Sequence, residues 1–228
     1  MSMPSPEKTA TIHGLRAAWN AYLGKELVRG PLKAINLDQV RMALEIGSGG
    51  TSFSRDHLPS SISLHSTDVR PFSGLDVLCS GLMLPFKNGT FDLVLCLRVL
   101  QHVDDDVGTM REVFRVTKPH GLAVIEVGNR HSWTLVQGRM DNPRWRRRIP
   151  YDRYHAYSAK ELVAKMRRTG FADVRVKGSL FLPEAVNRLP ATVALALVKS
   201  GPLIDRIANV TPGIRSAATN ILAWGLKP

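Results

Sequence analysis

The chain has 228 residues, of which 44% are hydrophobic, enough apolar material to bury the core of one α/β domain. Its longest apolar run, residues 189–198, contains Pro190 and stops at Lys199, well short of the ~20 residues a membrane-spanning helix needs, and residues 1–8 carry prolines and charge where an export signal needs an apolar stretch. The two cysteines, Cys79 and Cys96, sit inside apolar runs and read as small buried hydrophobes of a protein in the reducing cytoplasm, while the net charge of +12 favours phosphate-bearing partners, either nucleic acid or an anionic membrane surface.

In chain order, residues 13–28 place Leu15, Ala18, Trp19, Tyr22, Leu23 and Leu27 at helical spacing, and Gly30-Pro31 is expected to end that helix. A strand over 42–46, a turn, a short helix over 53–58 and a strand over 62–67 ending at Asp68 form one βαβ unit with parallel strands. Residues 75–78 and 91–97 read as the third and fourth strands, the latter apolar enough to be buried on both faces. Asp104 to Asp106 carry acids ahead of Val107, Met110, Val113, Phe114 and Val116, which suits the positive end of a helix that stops before Pro119. Residues 121–127 are a fifth strand. Ser158 and Glu161 form a capping box for a helix closed by Gly170, and strands over 174–176 and 217–226 complete the series. The segments 129–157 and 181–216 interrupt the alternation and are expected to shape a substrate pocket within a single domain spanning 1–228.

The run Leu44-Glu45-Ile46-Gly47-Ser48-Gly49-Gly50, followed about 20 residues later by Asp68, has the form of a strand, a glycine turn and a ribose-binding acid. A dinucleotide fingerprint wants glycine at the first, third and sixth positions, and here these are Gly47, Gly49 and Ser52. Glu45 before the turn suits a ligand with a cationic amine rather than a pyrophosphate.

Here the chain resembles the class I S-adenosylmethionine-dependent methyltransferases, in particular the small-molecule branch that includes the ubiquinone and menaquinone biosynthetic enzymes. Glu45 to Gly50 matches that family's first motif, Asp68 its second acid, and Leu84-Pro85-Phe86-Lys87-Asn88-Gly89-Thr90-Phe91-Asp92-Leu93-Val94 its strongest signature. Val99-Leu100-Gln101-His102-Val103 and Arg115-Val116-Thr117-Lys118-Pro119-His120-Gly121 continue it in order. The resemblance implies a Rossmann-like, seven-stranded, mostly parallel sheet with helices on both faces and an antiparallel last strand. It implies S-adenosyl-L-methionine as cofactor, with Glu45, Gly47, Ser48 and Gly49 against its methionyl and ribose part, Asp68 on the ribose hydroxyls and Val69 beside the adenine. Where the family usually has Asp on the adenine amine this chain has Ser80, with Gly81 next to it, so a weaker contact is expected there. Asp92 is expected to serve packing and hydrogen bonding rather than methyl transfer.

The reaction implied is in-line displacement at the sulfonium methyl, which asks the protein mainly to align donor and acceptor and exclude water. For a hydroxyl acceptor a general base helps, and His102, His131 and His155 are the candidates, with Tyr157 beside His155 at the pocket entrance. The cluster Arg144-Trp145-Arg146-Arg147-Arg148 suits phosphate or carboxylate, and Val186, Leu189, Val193, Leu197, Leu203, Ile204 and Ile207 suit apolar helices over a pocket. Together they favour a small, apolar or lipid-like acceptor, met at an anionic membrane surface. An RNA methyltransferase, a non-catalytic cofactor-binding protein and a nicotinamide oxidoreductase are the competing readings, in that order.

Overall fold

A computed structural model describes Ala18, Tyr22 and residues 30–49, 54–132, 154–182, 186, 189–211, 214 and 216–228. Seven strands build one sheet: β1 (Met42–Ile46), β2 (Ser63–Asp68), β3 (Val77–Leu78), β4 (Phe91–Leu97), β5 (Thr117–Gly128), β6 (Ala172–Ser179) and β7 (Asn220–Leu226). Their order is β3-β2-β1-β4-β5-β7-β6, with β1 to β5 parallel and β7 antiparallel to both neighbours, which is the Rossmann-like arrangement expected. The helices of more than three residues among those described are α1 (Asp106–Val116), α2 (Ala159–Thr169) and α3 (Ala191–Val210).

Strand alternation sorts the core onto the two faces of the sheet. On one face Leu44, Ile46, Val94, Cys96, Ala123 and Ile125 meet Met110, Val113 and Val116 of α1 and Leu162 and Met166 of α2. On the other face Ala43, Leu93, Leu95, Leu122, Val124 and Leu222 meet Leu32, Val40 and Ile62. A third cluster joins Tyr22 to Leu182, Val186, Ala194 and Val198, so α3 packs against the N-terminal segment at the β6 end of the molecule. Gly201 of α3 allows that approach, since a Cβ there would lie 2.8 Å from the Tyr22 ring.

The family signature turns out to be a set of clamps. The Asp92 carboxylate accepts from the amides of Arg41 and Met42, both at 2.9 Å, and from Lys118 Nζ at 2.7 Å, tying the starts of β1, β4 and β5 together. Burial raises the Asp92 carboxyl, but Lys118 and the two amides more than offset it and leave it below the ordinary value. Arg115 spreads its guanidinium over the carbonyls of Phe86 at 2.7 Å and Leu84 at 2.9 Å while Glu112 holds it from behind. The loop 84–88 is therefore fixed to α1.

Several local expectations change. Residues 54–58 make a turn rather than a helix: Leu58 bonds back to the Ser54 carbonyl, and Pro59 then disfavours a helical conformation at Leu58. Gly30–Leu32 is helical where a helix end was expected, because proline's fixed φ is compatible with a helical turn and Pro31 and Leu32 are both buried. Of residues 13–28 only Ala18 and Tyr22 are described, and both are helical. β5 starts at Thr117 and runs through Pro119, since Thr117 already pairs with Phe91 across a register shift before the regular ladder resumes at Leu93. Ser158 caps α2 by accepting from the Glu161 amide at 3.2 Å, and Gly170 closes it at φ +117°. The Glu161 carboxylate, however, turns to Arg130 and His155 instead of completing the box. Residues 191–210 form one helix that continues past Lys199 and contains Pro202. No helix among the described residues is long and apolar enough to cross a membrane.

Candidate active site at the strand ends

After β3 the chain returns to the other side of β1, so the sheet order reverses between β1 and β4. Open α/β sheets bind ligands beyond the carboxyl ends of the strands at such a switch point. The glycine turn sits there. Gly47 and Gly49 have φ of +71° and +64°, the left-handed region that favours glycine. Their surroundings differ: a Cβ at Gly47 would lie 2.3 Å from Val99 Cγ2, whereas among the described residues nothing lies within 4 Å of one at Gly49. The amides of Gly47 and Ser48 both bond to the Thr67 carbonyl, at 2.7 and 3.0 Å. These amides serve the fold, and the surface the turn offers a ligand is the open face at Gly49.

Asp68 ends β2 beside that face. One carboxylate oxygen accepts from the Gly49 amide at 3.0 Å and the other from the Arg70 amide at 2.9 Å, so the carboxylate is oriented while retaining further lone pairs. Glu45, 3% exposed, accepts from the Ser54 amide at 3.4 Å, which draws the chain after the turn back onto β1. Val69 is 68% exposed next to Asp68. β3 brings the next segment alongside: Leu78 pairs with Asp68, and Cys79 donates to the Asp68 carbonyl at 2.9 Å. Ser80 follows, exposed, with its hydroxyl accepting from the Leu82 amide at 3.2 Å. Gly81 packs on Ile46 and Thr109, where a Cβ would sit 3.7 Å and 3.2 Å from their methyl carbons, placing this loop over the end of β1. Thus Gly49, Asp68, Val69, Ser80 and Gly81 line one rim of the sheet.

The histidines and Tyr157 belong to the neighbouring rim, beyond β4 and β5. Gln101 joins the two strand ends, its side-chain oxygen accepting from the Gly128 amide at 2.6 Å and its carbonyl from the His155 amide at 2.8 Å. His102 lies 3.2 Å from the Gln101 amide nitrogen, with its ring edge-on to Tyr154 at 5.5 Å. His155 is half-exposed, bonded to Glu161 at 3.1 Å and edge-on to Tyr157 at 4.5 Å. His131 is exposed and its amide donates to Asn129. Tyr157 is wholly buried and donates to Asp106 at 2.6 Å; burial and the Asp106 carboxylate push its phenol far above the ordinary range. A proton held that firmly ties the 154–157 segment to α1. The arginine cluster at 144–148 lies outside the described residues.

One residue of this rim escaped sequence reasoning. Glu126 near the end of β5 is fully buried; one oxygen accepts from Asn220 at 2.9 Å, and the other stands 3.7 Å from Arg98 Nε with no hydrogen-bond partner among the described residues. The signal was a lone acid inside the apolar run 121–127.

Residues 44–125 match the methyltransferase domain family. An uncharacterized methyltransferase of Mycobacterium sp. (strain KMS) is 33% identical over 95 residues, covering 37% of this chain and 38% of that protein. A ubiquinone biosynthesis O-methyltransferase of Ruegeria pomeroyi is 27% identical over 157 residues, covering 61% of this chain and 63% of that one. The chain thus spans less than two thirds of either relative. Among solved structures, a methyltransferase of Thermotoga maritima, described as S-adenosylmethionine-dependent and a possible histamine N-methyltransferase, superposes with a TM-score of 0.63 at 20% identity, covering 97% of this chain and 95% of that one. The chain thus shares the fold of that S-adenosylmethionine-dependent methyltransferase.

Proposed function

We propose that this chain is an S-adenosylmethionine-dependent methyltransferase acting on a small-molecule acceptor. The observation that carries the reading is the pairing of Asp68 with the Gly49 turn: an oriented carboxylate beside a glycine whose Cβ side meets nothing within 4 Å among the described residues. Asp68 would hold the ribose hydroxyls, Glu45 the amine end of the methionyl part, and the Gly47 to Gly49 turn, through its open face at Gly49, the surface between them. Val69 and Gly81 would flank the adenine, with Ser80 accepting from its amine. A hydroxyl there supplies a weaker hydrogen bond than a carboxylate.

Bound S-adenosylmethionine supplies an already activated methyl group. With it bound, the acceptor's lone pair would form the new bond to the methyl carbon as the carbon–sulfur bond broke, that bond's electrons passing to sulfur and the acceptor's proton to solvent or a nearby base. The residues beyond β4 and β5 align the acceptor. His102 is the base we assign for a hydroxyl acceptor, since it stands next to the Gln101 junction of the two strands. His155, paired with Glu161, belongs to the entrance, and Tyr157 to its frame.

Calorimetry with S-adenosylhomocysteine and with NAD tests the reading: binding of the first and not the second is expected, and the reverse would sink it. Asp68→Ala should then weaken S-adenosylhomocysteine by about 2 kcal/mol, the scale of lost charge-assisted hydrogen bonds.

A second feature favours a peripheral site of action. Val193, Leu203, Ile207 and Val210 of α3 are 46%, 60%, 56% and 78% exposed, with exposed Lys199 and Arg206 on the same helix. An apolar stripe with basic flanks on a chain of net charge +12 suits an anionic lipid surface and a lipid-like acceptor. Co-sedimentation with anionic liposomes that disappears in high salt is the expected result, and no sedimentation at low salt removes the idea.

A further inference from the structure

Glu126 is the one carboxylate among the described residues with a buried oxygen that lacks a hydrogen-bond partner. Its side chain is 0% exposed, its Oε2 has no hydrogen-bond partner among the described residues, and its ion partner Arg98 stands 3.7 Å away, too far for a hydrogen bond. The other oxygen is held in place by Asn220 of β7 at 2.9 Å, with Ser179 of β6 at 3.5 Å. An ionised carboxyl leaves Oε2 short of a donor, and a protonated one leaves it short of an acceptor. Native buried polar groups are rarely left so without a ligand or an ordered water to complete them.

Position points to which ligand. In the sheet register Glu45 pairs with Leu95, Leu95 with Val124, and Glu126 is two residues beyond Val124, so both acids project from the same face. Two strand spacings sideways and two residues along place them roughly 12 Å apart. Glu45 belongs to the rim assigned to the cofactor, and Glu126 to the rim left for the acceptor. Charge points the same way. Asp205 of α3 is buried on this side and is satisfied by the Tyr22 hydroxyl at 2.5 Å and the Leu180 and Phe181 amides, both at 3.1 Å, so it adds a second negative charge near Glu126. Against two buried carboxylates stands Arg98, half in solvent, the cation a ligand would displace.

We infer that Glu126 is a specificity residue of the acceptor subsite and that the acceptor presents a protonated amine to it. The inference rests on the methyltransferase reading, but only for which molecule carries the amine. A cation with N–H donors completes Oε2 and offsets the buried charge, whereas a neutral hydroxyl supplies the donor alone.

The test is calorimetry on the full chain with n-hexylamine and 1-hexanol, run with and without saturating S-adenosylhomocysteine. In the saturated protein hexylamine should bind about tenfold more tightly than hexanol, a difference of ~1.4 kcal/mol. Glu126→Gln should erase that preference while leaving S-adenosylhomocysteine affinity unchanged. Glu126→Asp, which keeps the charge but withdraws it by one methylene, should retain part of it. Equal binding of the two probes, binding of neither, or a preference that survives in Glu126→Gln would overturn the assignment. Failure of S-adenosylhomocysteine to bind the unaltered chain would instead strike the methyltransferase reading, and the runs without it would still report on Glu126.

Discussion

The two rims of the sheet are built in different ways. Around β1, β2 and β3 the polar groups are bonded to backbone close in sequence or on the adjacent strand: Asp68 to Gly49 and Arg70, Ser80 to Leu82, Glu45 to Ser54. Around β5, β7 and β6 they are assembled from distant parts of the chain: Glu126 with Asn220, Asn129 with the carbonyls of Ser216 and Ala218, Tyr22 with Asp205. A site of the first kind is a short motif that can be recognised anywhere. A site of the second kind exists only once the sheet has closed, and it is free to vary with the acceptor.

Four substitutions probe that contrast. The largest effect is expected at Asp92, below both rims. Asp92→Ala should cost about 3 kcal/mol in denaturant unfolding, because the Arg41 and Met42 amides and the Lys118 ammonium lose their shared acceptor. The Asp92 carboxyl lies below its ordinary value of 3.8 in the folded chain, so its contribution is complete above that value and is lost as pH falls through the lowered one. A variant whose stability deficit is unchanged on acidification would show that the clamp is not ionic.

Within the cofactor rim, Gly47→Ala and Gly49→Ala separate fold from ligand. Both carry the strain of an alanine at positive φ, about 1 kcal/mol, but only Gly47 also meets Val99. Gly47→Ala should therefore lose about 2–3 kcal/mol of stability. Gly49→Ala should lose about 1 kcal/mol, with its main effect on S-adenosylhomocysteine affinity. Equal losses of stability would mean that the two glycines are used alike.

The smallest effect, and the one of opposite sign, belongs to the acceptor rim. Burial holds the Glu126 carboxyl above its ordinary value, so ionising it costs the folded state more than the unfolded one. Glu126→Gln should therefore stabilise the ligand-free chain by about 1 kcal/mol at neutral pH. That gain should vanish as pH falls below the unfolded glutamate value, where both states of the native residue are protonated. A variant less stable than the native chain at neutral pH would mean that the Arg98 pair outweighs the burial.

The same division explains what could be read before the structure. The strands at 42–46 and 91–97 are apolar runs bounded by turn residues, and Ser158 and Gly170 mark the ends of α2 by chemistry local to the backbone. The same local reading failed at 53–58, where Pro59 truncates a helix to a turn, and at Thr117, where pairing with Phe91 recruits residues that have no strand pattern of their own. Tyr157, expected beside His155 at a pocket entrance, is instead buried against Asp106 on a helix far away in sequence.

By itself the sequence determined the run of strands, the glycine turn followed by Asp68, and a structural role for Asp92. Each depends on side chains acting on backbone within a short stretch or at a spacing that strand geometry dictates. Only the tertiary structure decided that the Gly47 and Ser48 amides are spent on Thr67, that Asn209 of α3 bonds both the amide and the carbonyl of Gly178 on the edge strand β6, and that Glu126 lies buried with an oxygen unsatisfied. These outcomes depend on which groups are left without water once the sheet and its covering helices have closed, and desolvation is a property of the packed whole.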